Sequence, residues 1–418
     1  MKISGIIAEY NPFHNGHLYQ IDKVKENGAD YVVIVMSGNF LQRGTPAILD
    51  KWTRTQMALS CGADLVIELP AVFATASAQY FARGGVSILD KLGCVDTISF
   101  GCESDDIHMI QTLSSYLSKE PEAYKETLQK FIREGNSFPK AREMALRDCL
   151  SPEAAAFASS PNNILALEYC ITLLERGSSM NILPIKREGN GYHDSILRKE
   201  AFASATAIRE ILEKSINNDN SCSNDSNLPF DLRDYIPNSV CSIINENTIN
   251  YVTQNDFSSL LHYKLLSECN TSLAKYADVS EDLSDKLRKN LRHFQTYDTF
   301  CELLKSKELT YSRINRALTH ILLNITREMY EDVKTDDYAG YARILGFRKE
   351  ATPLLSEISK NTVIPLISKL ADASKILSDC ELQYMEHDIF CSHVYESIVA
   401  SKSGNAIKNE YQREIIRL

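Results

Sequence analysis

The chain has 418 residues, 44% of them apolar and 24% charged. That composition excludes a disordered polymer, a collagen-like fibre and a disulfide-stapled miniprotein; the length predicts two domains, or one large one with an appendage. The formal charge of -10 argues against indiscriminate nucleic-acid binding, yet it leaves room for a local basic face.

No run approaches the ~20 apolar residues of a membrane span. The longest candidate, Tyr31 to Met36, is far too short, and no membrane partner is expected. Glu9 interrupts what would be a signal-peptide core, so a cytoplasmic location is expected. Eleven Cys are scattered from Cys61 to Cys391 with no CxxC pair. Buried, reduced thiols are the expectation.

Lys2 to Ala8 reads as a strand, followed by Leu18, Ile21 and Val24 at helical spacing. Tyr31 to Met36 is an uninterrupted apolar, β-branched run, as expected of a strand covered on both faces. Thr53 to Cys61 is helical, Asp64 to Leu69 a third strand, Ala78 to Leu92 a helix and Thr97 to Phe100 a fourth strand. A helical insertion over Ile107 to Arg176 precedes a fifth strand, Met180 to Ile185. Strands alternating with helices predict an α/β fold with a Rossmann-like parallel sheet. Asn217 to Asn227 is polar and turn-forming, hence a linker. The expected domains are therefore 1–216, carrying the parallel sheet, and 229–418, mainly α-helical. The helices expected there are Phe257 to Cys269, Leu283 to Ser306, Ser312 to Tyr330, Leu354 to Lys360, Val363 to Ala373 and Cys380 to Ile398.

The chemistry concentrates in Glu9-Tyr10-Asn11-Pro12-Phe13-His14-Asn15-Gly16-His17, which follows a strand and opens a helix. A helix N-terminus offers free N–H groups and a positive dipole end to an anion. Gly16 lets a phosphate approach the backbone, and Pro12 fixes the chain where no donor is needed. His14 and His17, three apart, share one face of the first turn and suit charge that builds on a phosphate. A zinc site fits poorly, because no Cys or carboxylate trio is nearby. Trp52 reads as a buried anchor, and Arg43 and Arg54 as candidates for either phosphate binding or structure.

The HxGH spacing is the signature of the nucleotidyltransferase superfamily, whose second signature, ISSTxIR, is approximated by Ala203-Ser204-Ala205-Thr206-Ala207-Ile208-Arg209. Ser204, Thr206 and Arg209 match; Ala203 and Ala205 depart, which removes a contact through the second serine. Further blocks make the chain resemble the tRNA(Met) cytidine acetate ligase family along nearly its whole length. These are Met36 to Gly44, Gly62 to Pro70, Phe100 to Glu103, Ser160 to Leu165, Lys186 to Gly189 and, more weakly, Ala342 to Phe347.

The resemblance implies activation of acetate by ATP to acetyl-adenylate, with Mg²⁺ held by the ATP phosphates rather than by a protein ligand. Transfer of acetyl to N4 of the wobble cytidine of elongator tRNA(Met) follows. It implies catalytic roles for His14 and His17. It also implies an ATP site lined by Ile7, Ala8, Glu9, Tyr10, Asn11, Pro12, Phe13, His14, Asn15, Gly16, His17, Leu18, Tyr19 and Gln20. Gly101, Asn162, Arg187, Glu188, Ser204, Thr206 and Arg209 complete that site. For tRNA, the basic candidates are Lys286, Lys289, Arg292, Arg313, Arg316, Arg343, Arg348 and Lys349. Two other readings stay open: a small-molecule adenylyltransferase, and a non-catalytic RNA-binding protein that retains the nucleotide fold. The sequence assigns no acyl pocket, no anticodon-reading residue and no oligomeric state.

Overall fold

In the computed structural model, which describes residues 1–187, 204–218, 232–247, 250–306 and 308–418, the apolar runs near the amino terminus become parallel strands of one sheet. They are β1 (Ile3–Ala8), β2 (Tyr31–Ser37), β3 (Leu65–Leu69), β4 (Thr97–Cys102) and β5 (Asn181–Lys186). The crossovers are α1 (Asn15–Glu26), α2 (Lys51–Ser60), α3 (Ala71–Ala74) and α4 (Ala78–Lys91). The helical insertion comprises α5 (Ile107–Lys119), α6 (Glu122–Arg133), α7 (Phe138–Cys149), α8 (Pro152–Phe157) and α9 (Pro161–Arg176).

Both faces of the sheet are covered, which is why its strands are almost wholly apolar. Val33 and Val35 of β2 enter one core, and Val32, Ile34 and Met36 the other. Each such side chain contributes about 1.5–3 kcal/mol by leaving water. Gly85 lets α4 lie close on β1: a Cβ there would stand 2.6 Å from the Ile7 Cδ1.

The strand order is β5-β4-β1-β2-β3. The chain leaves β1 toward β2 and β3, then returns across the sheet to β4. β1 and β4 therefore flank the topological switch, whose carboxyl edge is where such sheets bind ligands.

The C-terminal half is mainly helical: α10 (Ala205–Asn218), α11 (Asn238–Glu246), α12 (Ser258–Glu268), α13 (Glu281–Asn290), α14 (Tyr297–Leu304), α15 (Tyr311–Leu323) and α16 (Arg327–Thr335). After β6 (Ala342–Phe347) come α17 (Thr352–Asn361), β7 (Leu366–Ile367), α18 (Ala373–Ile376), α19 (Asp379–Ser403) and β8 (Ile416–Arg417).

Four expectations are corrected here. The partition at 1–216 and 229–418 does not separate two cores, because β6 pairs antiparallel with β3 and carries β7 and β8 onto the same sheet. Ala342 to Phe347 is an apolar run without helical period, as a covered strand requires. Val363 to Ala373 is not one helix: it holds β7 and a short helical turn, and Pro365 lacks the N–H a helix interior needs. Leu283 to Ser306 divides into α13 and α14, with Thr296 capping the second. Ser312 to Tyr330 likewise divides, at Asn324, whose φ of 59° ends α15. Of the expected linker, residues 219–227 lie outside the described residues.

Candidate active site

His14 is the N-cap of α1 and His17 its N3 residue. The His14 Nδ1 accepts the Gly16 N–H at 3.0 Å, and the His17 Nδ1 accepts the His14 N–H at 3.3 Å. The two imidazoles thus form a capping box of the kind usually built from Ser and Glu. Their rings stack with centroids 3.8 Å apart. Because each Nδ1 is an acceptor, each neutral ring must carry its proton on Nε2.

Both rings are held neutral. Burial, then the Arg187 and Arg209 charges, push the His14 imidazole down to about 3. Burial, His14 and Arg187 likewise hold His17 well below its ordinary value. The pair presents two fixed N–H donors, not a titrating base. Tyr10 and Phe13 pack against His17 at centroid distances of 4.8 and 5.5 Å and fix its rotamer.

The imidazoles line a cleft of ≈ 1060 Å³ at the carboxyl edge of the sheet. Arg209, the fifth residue of α10, reaches back to the first motif: its guanidinium donates to the Asn11 carbonyl at 2.7 Å and to the Thr206 hydroxyl at 3.1 Å. The Ser204 hydroxyl accepts the Ala207 N–H, opening that helix. Arg187, following β5, donates to the Asn162 side-chain carbonyl at 3.3 Å. The Asn162 amide in turn donates to Glu103 at 2.7 Å, and Glu103 also takes the Asn163 N–H at 3.0 Å. Glu103 therefore caps α9 and orients Asn162.

A family model described as HIGH Nucleotidyl Transferase matches residues 1–410. A tRNA(Met) cytidine acetate ligase of Thermoanaerobacter sp. (strain X514) is 39% identical over 100% of both chains. One from Clostridium perfringens (strain ATCC 13124) is 39% identical over 97% of this chain and 98% of its own. The chain belongs to the tRNA(Met) cytidine acetate ligase family. The crystal structure of apo Thermotoga maritima TmcAL superposes with a TM-score of 0.91 at 31% identity, covering 100% of both chains. The form bound with alpha-thio ATP gives 0.89 at 32% identity, again over 100% of both.

Of the residues the ligase resemblance names for ATP, Ile7, Ala8, Glu9, Tyr10, Asn11, His14, His17, Gln20, Gly101, Asn162, Arg187, Ser204, Thr206 and Arg209 line the cleft. Phe13 instead lies wholly in the core behind the imidazoles, with Pro12 buried beside it and Leu18 and Tyr19 packed on that core. The Asn15 side chain turns to the Asp234 carbonyl at 2.9 Å. The Gly16 N–H is taken by His14 rather than left for a phosphate. Glu188 lies outside the described residues.

The basic candidates for the ligase's tRNA separate. Arg313 and Arg316 line the cleft, Arg316 with its Nε 2.7 Å from Asp278. Lys289 and Arg292 are exposed near the end of α13, and the Lys286 ammonium bonds the Leu304 carbonyl. Arg343 is corrected: it is 3% exposed and paired with Glu68 and Glu410, so it offers nothing to RNA. Arg348 and Lys349 lie elsewhere. Because β6 is antiparallel, they follow Phe347 at the amino edge of the sheet, beside Asp64 and away from the cleft. Sequence reasoning gave Glu103, Arg142 and Tyr169 no role at the site, although all three touch the cleft or its residues. Only their distance in sequence from the histidines hid them.

Proposed function

We propose that the chain is an ATP-dependent, AMP-forming ligase that converts acetate to acetyl-adenylate, releasing pyrophosphate, and then acetylates N4 of the wobble cytidine of elongator tRNA(Met). The observation that carries this reading is the pair of imidazoles, each with its Nδ1 occupied by a backbone N–H, that lines a cleft at the sheet's topological switch.

In the first step an acetate oxygen attacks the α-phosphorus and the bond to pyrophosphate breaks. Negative charge moves onto the non-bridging oxygens and the leaving group. His14 and His17 donate there without having to lose or gain a proton, and Arg187 and Arg209 supply positive charge beside them. Donors held in place before the reaction avoid reorganisation at the barrier. ATP is assigned to Ile7, Ala8, Glu9, Tyr10, Asn11, His14, His17 and Gln20 with Gly101, Asn162, Arg187, Ser204, Thr206 and Arg209, and to Glu188 by the family resemblance alone. Mg²⁺ would ride on the β- and γ-phosphates and neutralise their charge; among the described residues no group of three His, Cys, Asp or Glu side chains is placed to hold a metal.

In the second step the cytidine amine attacks the acyl carbon, AMP leaves and the amine proton passes to solvent. A wobble base lies in a single-stranded loop and can be splayed into a pocket. The cleft volume of ≈ 1060 Å³ stands at the upper end of ligand pockets, about 300–1,000 Å³, and Arg313 in its lining suits the RNA backbone. Among the described residues no helix is long and apolar enough to cross a membrane.

The test is incubation with labelled acetate, ATP and unmodified tRNA(Met), followed by mass spectrometry of the tRNA. One acetyl group on the anticodon cytidine, together with acetate-dependent exchange of pyrophosphate into ATP, is the expected result. Exchange without acetate, or acetylation without ATP, would remove the reading.

A further inference from the structure

Arg54 stands one turn into α2 and is 0% exposed. Its guanidinium hydrogen-bonds only backbone carbonyls, while Tyr395, Asp50, Glu9 and Glu68 act on its charge from farther off. The Nε donates to Leu49 at 3.0 Å, one terminal nitrogen to Glu9 at 2.6 Å and Ser37 at 3.1 Å, and the other to Gly38. Among the described residues it forms no ion pair. Burying a cation without a contacting carboxylate costs several kcal/mol in general. A role confined to packing would be filled more stably by an apolar side chain.

The bonded carbonyls mark the place. Glu9 directly follows β1, Ser37 ends β2 and Gly38 follows it. These are the strand ends at the carboxyl edge, where unbonded carbonyl dipoles would face an incoming polyphosphate. Arg54 takes three of them at once and fastens the two strand ends to each other.

The same segment is secured at two further points. The Asn11 side chain accepts the Ile48 N–H at 2.8 Å, and the Asn11 carbonyl accepts Arg209. The Glu9 carboxylate accepts the Gln42 N–H at 2.9 Å, tying down the loop after β2. Three residues beyond Asn11 the chain reaches His14.

We infer that Arg54 is a positioning residue for the adenylation step, fixing the carboxyl ends of β1 and β2 so that the turn leading to His14 and His17 sits at the depth the reacting phosphate requires. The inference rests on the ATP-dependent reading above. Lysine is no substitute, since a single ammonium lacks the planar fork that reaches four carbonyls. A misplacement of about 1 Å at a reacting centre can lower the rate about 10²-fold.

The experiment compares wild type with Arg54→Lys in thermal melting, ATP binding by calorimetry, and acetate-dependent pyrophosphate exchange. Folded Arg54→Lys is expected to keep its ATP dissociation constant within about threefold while kcat falls about 10²-fold. Unchanged kcat in the folded variant, or a loss seen only in ATP affinity, overturns the inference. Failure of wild type itself to bind ATP or exchange pyrophosphate is a failure of the ATP-dependent reading, and the inference falls with it. Should Arg54→Lys not fold, the wild-type protein decides. Positioning that is realised at the reacting phosphate and not in ATP binding predicts that a non-hydrolysable acetyl-adenylate analogue, more than ATP, slows hydrogen exchange of residues 37–42 and of α2 about tenfold; unchanged exchange with the analogue bound overturns the inference.

Discussion

The nucleotide edge and the interior beneath β3 and β6 both bury polar groups, and they balance them differently. Under β3 and β6 the account is closed. The Lys51 ammonium lies 2.8 Å from Glu68, 3.1 Å from Glu410 and 2.8 Å from the Ser392 hydroxyl, while Arg343 contacts both carboxylates. Trp52 covers the group and donates its indole N–H to Glu410 at 3.3 Å. Two cations meet two anions, and no opening is needed. At the nucleotide edge Arg187 and Arg209 crowd two neutral imidazoles, and these charges help hold the imidazoles neutral. The lesson is that compensated burial builds a fold, whereas buried neutral N–H donors with cations beside them at a cleft prepare a place for an anion.

The comparison breaks most severely at Glu410. Burial works to raise this carboxyl, and Lys51 and Arg343 overcome it and hold it below the usual range. Glu410→Ala leaves two buried cations sharing one carboxylate. It is expected to cost about 3–5 kcal/mol, read as a lowered denaturation midpoint with an unchanged m-value. A midpoint equal to wild type would show that the cluster is not closed as described.

At the open site the effect should fall on rate instead. His14→Ala and His17→Ala are each expected to lower the rate of acetyl-adenylate formation about 10²–10³-fold, with melting shifted far less. Single-turnover kinetics with ATP and acetate would measure it, and a loss confined to KM would contradict transition-state donation.

Proton linkage gives a third effect. The folded pKa of His14, near 3, lies below its ordinary 6.5. The unfolded chain therefore binds the extra proton, and His14 contributes stability above pH 6.5 that is lost as pH falls toward 3. A slope of up to about 1.4 kcal/mol per pH unit is expected across that window, and His14→Asn should remove it from the urea-denaturation profile.

The smallest effect separates the two edges of the sheet. Arg313→Ala, in the cleft wall, should raise the tRNA KM about tenfold and lessen its salt dependence. Lys349→Ala, at the amino edge, should leave both unchanged. Equal losses at the two positions would place RNA on both edges.

What the sequence disclosed was local. The strands β1 to β4 announced themselves through apolar or β-branched runs, and the histidine pair through its spacing within one helical turn. The long-range partners were not legible. Arg343 looked like a surface cation because Glu68 and Glu410 lie far from it along the chain, and nothing near it in sequence marks their contact. Pro365 could have warned that Val363 to Ala373 was no helix, since a proline interior to that span removes a needed donor. Glu103 and Arg54 were visible as residues, yet their roles depend on backbone atoms of other segments, which carry no sequence signature.

The late return of the chain to the sheet has a consequence for biosynthesis. Trp52 and Glu410 are separated by 358 positions, yet they touch beneath the helix that holds Arg54. A nascent polypeptide in which Glu410 has not yet emerged has β1 to β5 outside the ribosome, but its Lys51 lacks one of its two counterions. The ligase's first half is translated early and completed late, so intermediates should be poor adenylating catalysts until Glu410 emerges.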